Sequence, residues 1–544
     1  MGYLQKINVM GKMRDGVKLS FDIRMPDKGG PFPAVLERNP YNNNFLITPE
    51  NERYLKLYLD AGYAHVSQDT RGKYDSEGEF KPFEEAEDGY DSVEWVAKQP
   101  WCNGKVGMTG ASYVGLTALA AAQLAPPSLC AITPSVMGED IFKRGVYNNG
   151  VLKLGFISWM FGNNGRTDKP EPLLEWNRIY NTLPPKKMDE TAGFESKFFD
   201  EVFTYPINDK RWNTMSIVSR YRNFKAPVFL LGGWYDTTVI RVYLGLKKEG
   251  KIAKMLIGPW THGLSRNRVV GQIDFGGHSL IDVEATKRRW LDRYVKGVKN
   301  GIDNEKPVRI YVMGINEWRD EEAWPLKRTK YTSFYLGCKM SANSLHGDGF
   351  LSAKMESKKD GDKYIYNPED PVRPIGGTAG LYDQPDGPYD QTPMEIRNDV
   401  LVYTSEKLKK PVEVTGYINV ELYVSSDAPD TDFVARLCDV YPDGRSIILN
   451  DGIIRSRYRE GIDKEVMLQK NKVYKLEISL DCTSNVFLKE HCIRLEITSS
   501  CFPKYIRNTN TGGDIISETK FKTARQTVYH SKTYPSKVIL PVIP

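Results

Sequence analysis

The stretch GKVGMTGASYVGLTALAAAQLA, residues 104–125, decides the fold. Its first seven residues form a short apolar run typical of a buried strand, and the Ala- and Leu-rich run from Ser112 onward favours a helix. Gly110 and Gly115 flank Ser112, so the connecting turn consists of small residues. A tight strand-to-helix turn can hold a serine in a strained, exposed conformation, where the start of the helix favours a developing negative charge. Ser112 is therefore a candidate nucleophile, and the alternative is an ordinary helix N-cap serine.

Strand-like and helix-like segments alternate on both sides of this stretch. The alternation predicts a parallel sheet with helical crossovers, which is an α/β fold. Predicted strands lie within residues 33–41, 63–72, 129–136, 226–236 and 253–263, and predicted helices within 86–99, 239–250 and 282–297.

The alternation of strand-like and helix-like segments is interrupted in two places, which predicts three structural parts. Residues 140–225 are rich in aromatic residues, Asn and Lys and are interpreted as an inserted helical segment. After about residue 305 short alternating strands dominate; in residues 412–424, for example, most even-numbered positions are apolar and their neighbours mostly polar. We expect an α/β domain over 1–139 and 226–304, and a linker with a β-sandwich or jelly roll over 305–544.

Composition excludes several classes of protein. The 544 residues are 40% hydrophobic and 11% aromatic, which excludes a collagen-like, coiled-coil or disordered chain. The formal net charge of +6 is small for this length, and the chain has no block of five basic residues, so we expect no nucleic-acid partner.

Location is predicted from what the chain lacks. It has no run of 18 apolar residues and no signal-peptide pattern at its start, so we expect no association with a membrane. Its seven cysteines are sparse, odd in number and without a C-x-x-C pair. This usage favours mostly free thiols in a reducing compartment and predicts a cytoplasmic location.

A nucleophilic serine needs a base, and the chain has six histidines. His262 follows the apolar run of 253–263, and sites in open α/β sheets lie beyond the carboxyl ends of strands. His278 is near in sequence but follows no strand, and His65 lies inside a strand and is interpreted as a core residue. His262 is therefore the favoured base, with His278 as the rival.

The orienting acid is chosen in the same way. In α/β-hydrolases the chain order is serine, acid, histidine. Asp236 ends the predicted strand of 226–236 and lies between Ser112 and His262, whereas Asp209 and Asp274 follow no strand. The alternative for Asp236 is a helix N-cap, and both roles are compatible.

Tyr41 and the pair Glu139-Asp140 are weaker candidates. Tyr41 follows an early strand, in the loop where α/β-hydrolases supply contacts to the oxyanion, and the alternative is a packed loop tyrosine. Glu139 and Asp140 could bind a cation, although a solvated loop is favoured. The chain contains no H-E-x-x-H, Walker A or G-x-G-x-x-G motif, so we predict no metal and no cofactor.

Five motifs together resemble the cocaine esterase/X-Pro dipeptidyl-peptidase family of serine hydrolases, and a C-terminal segment over 492–512 extends the resemblance to nearly the whole chain. The motifs are NPY at 39–41, DTRGKYDSEGEF at 69–80, GMTGASYVG at 107–115, GGWYD at 232–236 and GPWTH at 258–262.

The resemblance implies roles for particular residues. The G-x-S-Y-x-G motif of the family makes Ser112 the nucleophile and explains why the second glycine comes one residue later than in G-x-S-x-G. It implies Asp236 as acid, His262 as base, and an oxyanion hole made of the Tyr41 hydroxyl and the Tyr113 N–H. It also implies an α/β-hydrolase domain, a helical cap and a jelly roll.

The resemblance specifies the substrate less directly than the catalytic residues. Family members cleave small esters, β-lactam side-chain amides or X-Pro peptides, and Trp159 and Trp234 are candidate apolar walls of the pocket, with core packing as the alternative for each. We expect a serine esterase or acylase acting on a small ester or amide, with a homodimer as a candidate assembly. The alternatives are an X-Pro dipeptidyl peptidase, an α-amino-acid ester hydrolase, or a non-catalytic binding protein on the same fold.

Overall fold

The computed structural model describes residues 2–44, 49–168, 174–357, 359–378 and 385–544. The strands are β1 (Tyr3–Lys12), β2 (Lys18–Pro26), β3 (Phe32–Asn39), β4 (Ala64–Asp69), β5 (Cys102–Ala111), β6 (Leu129–Ser135), β7 (Tyr147–Asn148), β8 (Val151–Leu152), β9 (Val228–Gly233), β10 (Ala253–Gly258), β11 (Val269–Val270), β12 (Ile273–Asp274), β13 (Val308–Val312), β14 (Glu317–Glu321), β15 (Lys330–Gly337), β16 (Phe350–Ser352), β17 (Gly361–Tyr366), β18 (Leu401–Ser405), β19 (Val412–Ser426), β20 (Asp432–Val440), β21 (Ser446–Arg455), β22 (Tyr474–Phe487), β23 (Cys492–Thr498), β24 (Ala524–Tyr529) and β25 (Lys537–Ile543).

The helices are α1 (Pro49–Leu59), α2 (Ala86–Ala97), α3 (Tyr113–Ala122), α4 (Leu154–Gly162), α5 (Trp176–Tyr180), α6 (Met188–Ala192), α7 (Lys197–Thr204), α8 (Thr238–Lys248), α9 (Val283–Tyr294) and α10 (Thr392–Glu395).

The first half of the chain builds a ten-stranded sheet in the order β1-β2-β4-β3-β5-β6-β9-β10-β13-β14. The pairs from β4–β3 through β10–β13 are parallel, while β1–β2, β2–β4 and β13–β14 are antiparallel. The predicted α/β class is therefore confirmed. The predicted end of this part at residue 304 comes before β13 and β14, which continue the same sheet.

Helices cover both faces of this sheet, which explains apolar runs such as Val228–Leu231 in its central strands. In β9, Val228 and Leu230 join a core shared with α3 and α8, while Phe229 and Leu231 join a core shared with α1 and α9. Helix α3 lies in the middle, packed against β3, β5 and β6, and its residues are almost all buried. This burial explains the apolar composition of α3 on every side.

Between β6 and β9 the described chain is mainly helical, with α4 to α7, short 3-10 turns and one π-helical turn over Ile141–Val146. The C-terminal part is rich in strands. Its sheet runs β17-β24-β19-β25-β15-β16-β18-β23-β20-β21, with β22 paired to β19. The long partners β19 and β22 pair antiparallel from Val412 to Val424.

All seven cysteines carry free thiols. None of the helices within the described ranges combines the length and hydrophobicity needed to span a bilayer.

Candidate active site

Ser112 lies at the sharp turn between β5 and α3. Its backbone has φ 57° and ψ −128°, a conformation that L-residues rarely adopt and that costs on the order of 1–3 kcal/mol. The turn is held because the Ser112 N–H donates to the carbonyl of Ser135, at the end of β6, over 3.0 Å. Such strain is typical of functional turns, since the surrounding structure must maintain it.

Gly110 and Gly115 are each required by a different steric contact. Gly110 has φ 150°, and a Cβ atom there would lie 2.3 Å from Val114 Cγ1. A Cβ atom at Gly115 would lie 3.0 Å from the carbonyl oxygen of Ser135. Gly110 thus permits the turn, and Gly115 permits α3 to approach β6. The one-residue displacement of the second glycine follows from this contact.

Asp236 and His262 follow the neighbouring strands β9 and β10. The two residues form a hydrogen bond of 2.6 Å between His262 Nδ1 and Asp236 Oδ2. The other carboxylate oxygen, Oδ1, accepts from the Thr238 hydroxyl over 2.7 Å. The Asp236 side chain is 2% exposed and the His262 side chain 49% exposed. The N-cap position of α8 is Thr237, one residue after Asp236, and the Asp236 carboxylate interacts with the main-chain N–H of Thr238 in the first turn.

Burial and pairing act in opposite directions on both groups. Burial disfavours the charged form of Asp236, but the hydrogen bond to His262 and its charge outweigh burial and lower the pKa of the carboxyl group. Burial likewise disfavours the imidazolium, but Asp236 outweighs it and raises the pKa of His262 above its ordinary value. An ionised Asp236 accepts a hydrogen bond from the Nδ1–H of His262, which leaves Nε2 of the neutral ring as the basic nitrogen.

Ser112, Asp236 and His262 line one cavity of about 730 Å³. Its walls come from three parts of the chain: the loops after β5, β9 and β10, helix α4, and the strand-rich C-terminal part. A cavity of this size is within the range of small-molecule sites.

Aromatic side chains form one side of the cavity. Trp159 and Phe156 of α4, with Phe83 and Tyr113, line it. The Trp159 indole stacks on the Tyr113 ring, with centroids 5.5 Å apart and planes 14° apart. Its N–H donates to the Tyr41 hydroxyl over 3.0 Å. Tyr41 thus lies directly behind Trp159, although it is not itself among the residues that line the cavity.

Trp234 corrects one expectation. This residue was a candidate wall of the pocket, but its side chain is fully buried and is absent from the cavity lining. The indole N–H donates to the carbonyl of Tyr311 over 2.6 Å, and the ring contacts Trp324 at a centroid distance of 5.6 Å. Trp234 is therefore a core residue. The chain reverses between Gly233 and Asp236, and this turn directs the side chains of Trp234 and Asp236 to different surroundings.

The rival residues lie elsewhere. His278 Nε2 contacts the carbonyl of Asn316, and His65 is buried beside Glu37 with a 3.2 Å contact. Asp209 pairs with Arg211, and Asp274 with Arg268. Neither rival histidine and neither rival aspartate lines the cavity.

Charged side chains that the sequence did not single out also line the cavity. Lys504 pairs with Asp451 over 2.6 Å, and Arg241 with Asp481 over 3.7 Å. Lys153 lies directly before α4, and it lines the cavity together with Asp386. These residues come from segments far apart in sequence and share no local pattern, so only the fold brings them together.

The pair Glu139-Asp140 also lines the cavity, where its carboxylates have protein partners. Glu139 accepts from the Tyr221 hydroxyl over 2.7 Å, and Asp140 accepts from the Lys143 N–H over 2.9 Å.

Two clusters of possible metal ligands exist among the described residues, both buried and both in the strand-rich part: Cys338, Asp362 and His530, and Glu395, Cys438 and Glu496. None of the six lines the cavity.

Known proteins and protein families match this sequence along nearly its whole length. Residues 15–264 match the model of the X-Pro dipeptidyl-peptidase (S15 family), and residues 300–539 match the X-Pro dipeptidyl-peptidase C-terminal non-catalytic domain. Cocaine esterase of Rhodococcus sp. (strain MB1 Bresler) is 38% identical over 570 aligned positions, which cover 98% of each chain.

Two solved structures are similar in fold and cover almost the whole chain. An aminopeptidase from a marine sediment archaeon (Thaumarchaeota archaeon) superposes with a TM-score of 0.85 at 26% identity, covering 100% of this chain and 97% of the other. An α-amino acid ester hydrolase superposes with a TM-score of 0.86 at 25% identity, covering 99% and 96%.

Proposed function

This chain belongs to the cocaine esterase/X-Pro dipeptidyl-peptidase (S15) family of serine hydrolases, and from that premise we propose that it cleaves small acyl esters or amides through an acyl-enzyme formed on Ser112. In this proposal His262 is the general base, Asp236 orients it, and the Tyr41 hydroxyl with the Tyr113 N–H forms the oxyanion hole.

The reaction follows from the atoms at the site. His262 Nε2 takes the proton of Ser112 Oγ as the oxygen attacks the substrate carbonyl carbon. The imidazolium is stabilised by Asp236, and the oxyanion accepts from the Tyr113 N–H at the start of α3 and from Tyr41. His262 then protonates the leaving group and activates a water molecule, which hydrolyses the acyl-enzyme and regenerates Ser112.

One observation carries the proposal: the 2.6 Å hydrogen bond between His262 and Asp236 lies in the same cavity as Ser112 at its strained turn. Acyl transfer needs a base with a fixed tautomer and a nucleophile at the start of a helix, and both lie around one cavity. The mechanism uses no metal and no cofactor.

The same proposal covers the architecture and the setting of the enzyme. Residues 140–225 act as a cap over the α/β-hydrolase domain, which is formed by 1–139 and by 226 to the end of β14, and the strand-rich remainder forms a jelly roll. The proposed substrate is a small molecule and the proposed location is the cytoplasm, with a homodimer as a candidate assembly.

Amino-acyl substrates are the second candidate, as for an α-amino-acid ester hydrolase or an X-Pro dipeptidyl peptidase. The favouring observation is Asp386, a carboxylate in the cavity whose charge interacts with His262. Burial raises its pKa, and a substrate ammonium beside it would restore the charged form. Asp386 already interacts with the main-chain N–H of His262, and the other carboxylates of the cavity also have protein partners, which is why simple esters and amides come first.

A panel of substrates tests the proposal. We expect the wild type to hydrolyse 4-nitrophenyl acyl esters faster than amino-acid esters or Gly-Pro anilides. Ser112→Ala should reduce kcat by about 10⁶. Fastest turnover of the amino-acyl compounds would favour the second candidate. Full activity of Ser112→Ala would contradict both candidates. A wild-type protein that hydrolyses none of the substrates and is not labelled by an organophosphonate would favour a binding protein.

A further inference from the structure

The cations that line the active-site cavity differ in how they are neutralised. Lys504 lies 2.6 Å from one oxygen and 2.7 Å from the other oxygen of Asp451. Arg241 lies 3.7 Å from Asp481, and Arg144 lies 3.7 Å from Glu139. Each of these three side chains thus has a carboxylate partner supplied by the protein.

Lys153 has no such partner within the described part of the chain. Its ammonium donates to the main-chain carbonyl of Arg144 over 3.1 Å, and no carboxylate oxygen of a described residue lies within 4.0 Å of it. Burial, with the charge of Lys504, lowers the pKa of Lys153 to about 8, although more distant carboxylates such as Asp236 favour its charged form. A lysine partly removed from water without an anion beside it is electrostatically unsatisfied.

The position of Lys153 is fixed by its main chain. It is the N-cap residue of α4, the helix that carries Trp159 into the cavity. The Lys153 N–H donates to the carbonyl of Val146 over 2.9 Å, and the next N–H, of Leu154, donates to the carbonyl of Lys504 over 3.1 Å. The ammonium is therefore on a rigid base beside the aromatic side of the cavity, as a substrate-binding group must be.

The chemistry of the group selects its ligand. An ammonium has three N–H donors, of which Arg144 takes one, so two remain for an anion. A monoanionic carboxylate fits this capacity and forms a strong charge-assisted hydrogen bond. A dianionic phosphate suits the site less, because Asp236, Asp451 and Asp481 act on the same ammonium and would repel a second negative charge.

We propose that Lys153 binds a carboxylate of the substrate, so that the preferred substrates are esters or amides that carry one negative charge away from the bond that is cleaved. This inference rests on the proposed function and narrows its substrate class. It assigns Lys153 to specificity and leaves the chemistry at Ser112 unchanged.

Two matched pairs of chromogenic esters test the inference and locate the carboxylate. On the acyl side, 4-nitrophenyl hemiadipate is compared with 4-nitrophenyl methyl adipate. On the leaving-group side, 3-carboxy-4-nitrophenyl acetate is compared with 4-nitrophenyl acetate. The measured quantity is the ratio of kcat/KM for the anionic ester to kcat/KM for its neutral partner. A purely structural change would lower both values and leave the ratio constant.

In one of the two pairs we expect Lys153→Met to lower the ratio by about 10- to 100-fold, the value of one hydrogen bond to a charged group. Lys153→Arg keeps the charge and should retain most of the ratio. Lys363→Met, an exposed residue of β17 outside the cavity lining, should leave it unchanged. In the wild type the ratio should fall as pH rises through about 8, as Lys153 loses its proton. An unchanged ratio in both pairs for Lys153→Met overturns the inference.

A binding measurement separates this inference from the proposed function. Calorimetric titration of the Ser112→Ala protein with monomethyl adipate and dimethyl adipate needs no turnover. We expect tighter binding of the monoanion, and loss of that difference on adding Lys153→Met. Equal binding of both compounds contradicts the role of Lys153 even if the enzyme is an active esterase. A charge-dependent difference supports that role even if no ester is hydrolysed.

Discussion

Two of the three histidine–aspartate pairs in the described part of the chain, which also holds His491–Asp439, lie in very different surroundings. His262 and Asp236 are joined by a 2.6 Å hydrogen bond at the cavity, and His530 and Asp362 by a 2.8 Å hydrogen bond within the strand-rich part. The second pair even has a thiol beside it, since Cys338 Sγ lies 3.8 Å from His530 Nε2. Unlike in a catalytic triad, the thiol and the carboxylate both contact Nε2 of His530, while its Nδ1 contacts the Ser357 hydroxyl over 2.7 Å.

Exposure and the neighbouring nucleophile distinguish the two pairs. His262 is 49% exposed at the cavity, whereas His530 and Asp362 are both 0% exposed. Burial and the charge of Asp362 raise the pKa of the Cys338 thiol to about 12, so the thiolate that would act as nucleophile does not form near neutral pH. A histidine–aspartate hydrogen bond is therefore not by itself a sign of catalysis. A catalytic pair must also be accessible to substrate and lie beside an activated nucleophile.

The largest difference between the pairs is expected from their aspartates. Asp236→Asn should reduce kcat by about 10⁴, because the amide favours the wrong tautomer of His262. The matched change Asp362→Asn should leave the kcat of the folded enzyme within a few-fold of the wild type. Steady-state kinetics with a 4-nitrophenyl ester measures both. Similar losses of kcat in the two variants would show that the buried pair also takes part in catalysis.

The buried pair should matter for stability instead. Besides His530, Asp362 accepts from the Tyr403 hydroxyl over 3.0 Å and from the Ala342 N–H over 3.1 Å. Breaking a buried pair of this kind costs about 3–5 kcal/mol. Asp362→Asn should lower the free energy of unfolding by about that amount in urea titrations, and Asp236→Asn should lower it less. A larger loss of stability in Asp236→Asn would reverse the assignment of the two pairs.

Tyr41 and Tyr403 give a second matched comparison of hydroxyl groups. Tyr41→Phe should lower kcat by about 10²–10³, because one donor to the oxyanion is lost while the ring remains. Tyr403→Phe removes a buried hydroxyl next to Asp362 and should change the thermal melting temperature rather than kcat. If Tyr41→Phe raised KM with kcat unchanged, Tyr41 would bind the substrate in its ground state.

The pH dependence should show the smallest effect. His262 acts as a base when neutral, and Asp236 raises its pKa above the ordinary value. The acidic limb of kcat/KM for a neutral ester should therefore have its midpoint above about 6.5, the ordinary pKa of histidine. A midpoint well below 6.5 would show that Asp236 does not stabilise the imidazolium in the free enzyme.

Much of the α/β part could be predicted from the sequence, because parallel strands covered on both faces produce long apolar runs. Ser112, Asp236 and His262 each follow such a run, and the carboxyl ends of parallel strands lie along one edge of a sheet. Local patterns could not identify Trp234 as a core residue, since its placement depends on one tight reversal after β9. Nor could they bring Lys153 near Lys504, which is 351 positions further along the chain.

The most direct test of the account is covalent labelling of the wild-type protein with a fluorophosphonate, followed by intact mass and peptide mapping. Only an activated serine at an accessible site should react. We predict a single adduct on Ser112, its loss in Ser112→Ala, and no adduct in the peptide that contains Cys338. An adduct on another serine, or an active esterase that takes up no label, would contradict the assignment of Ser112 as the nucleophile.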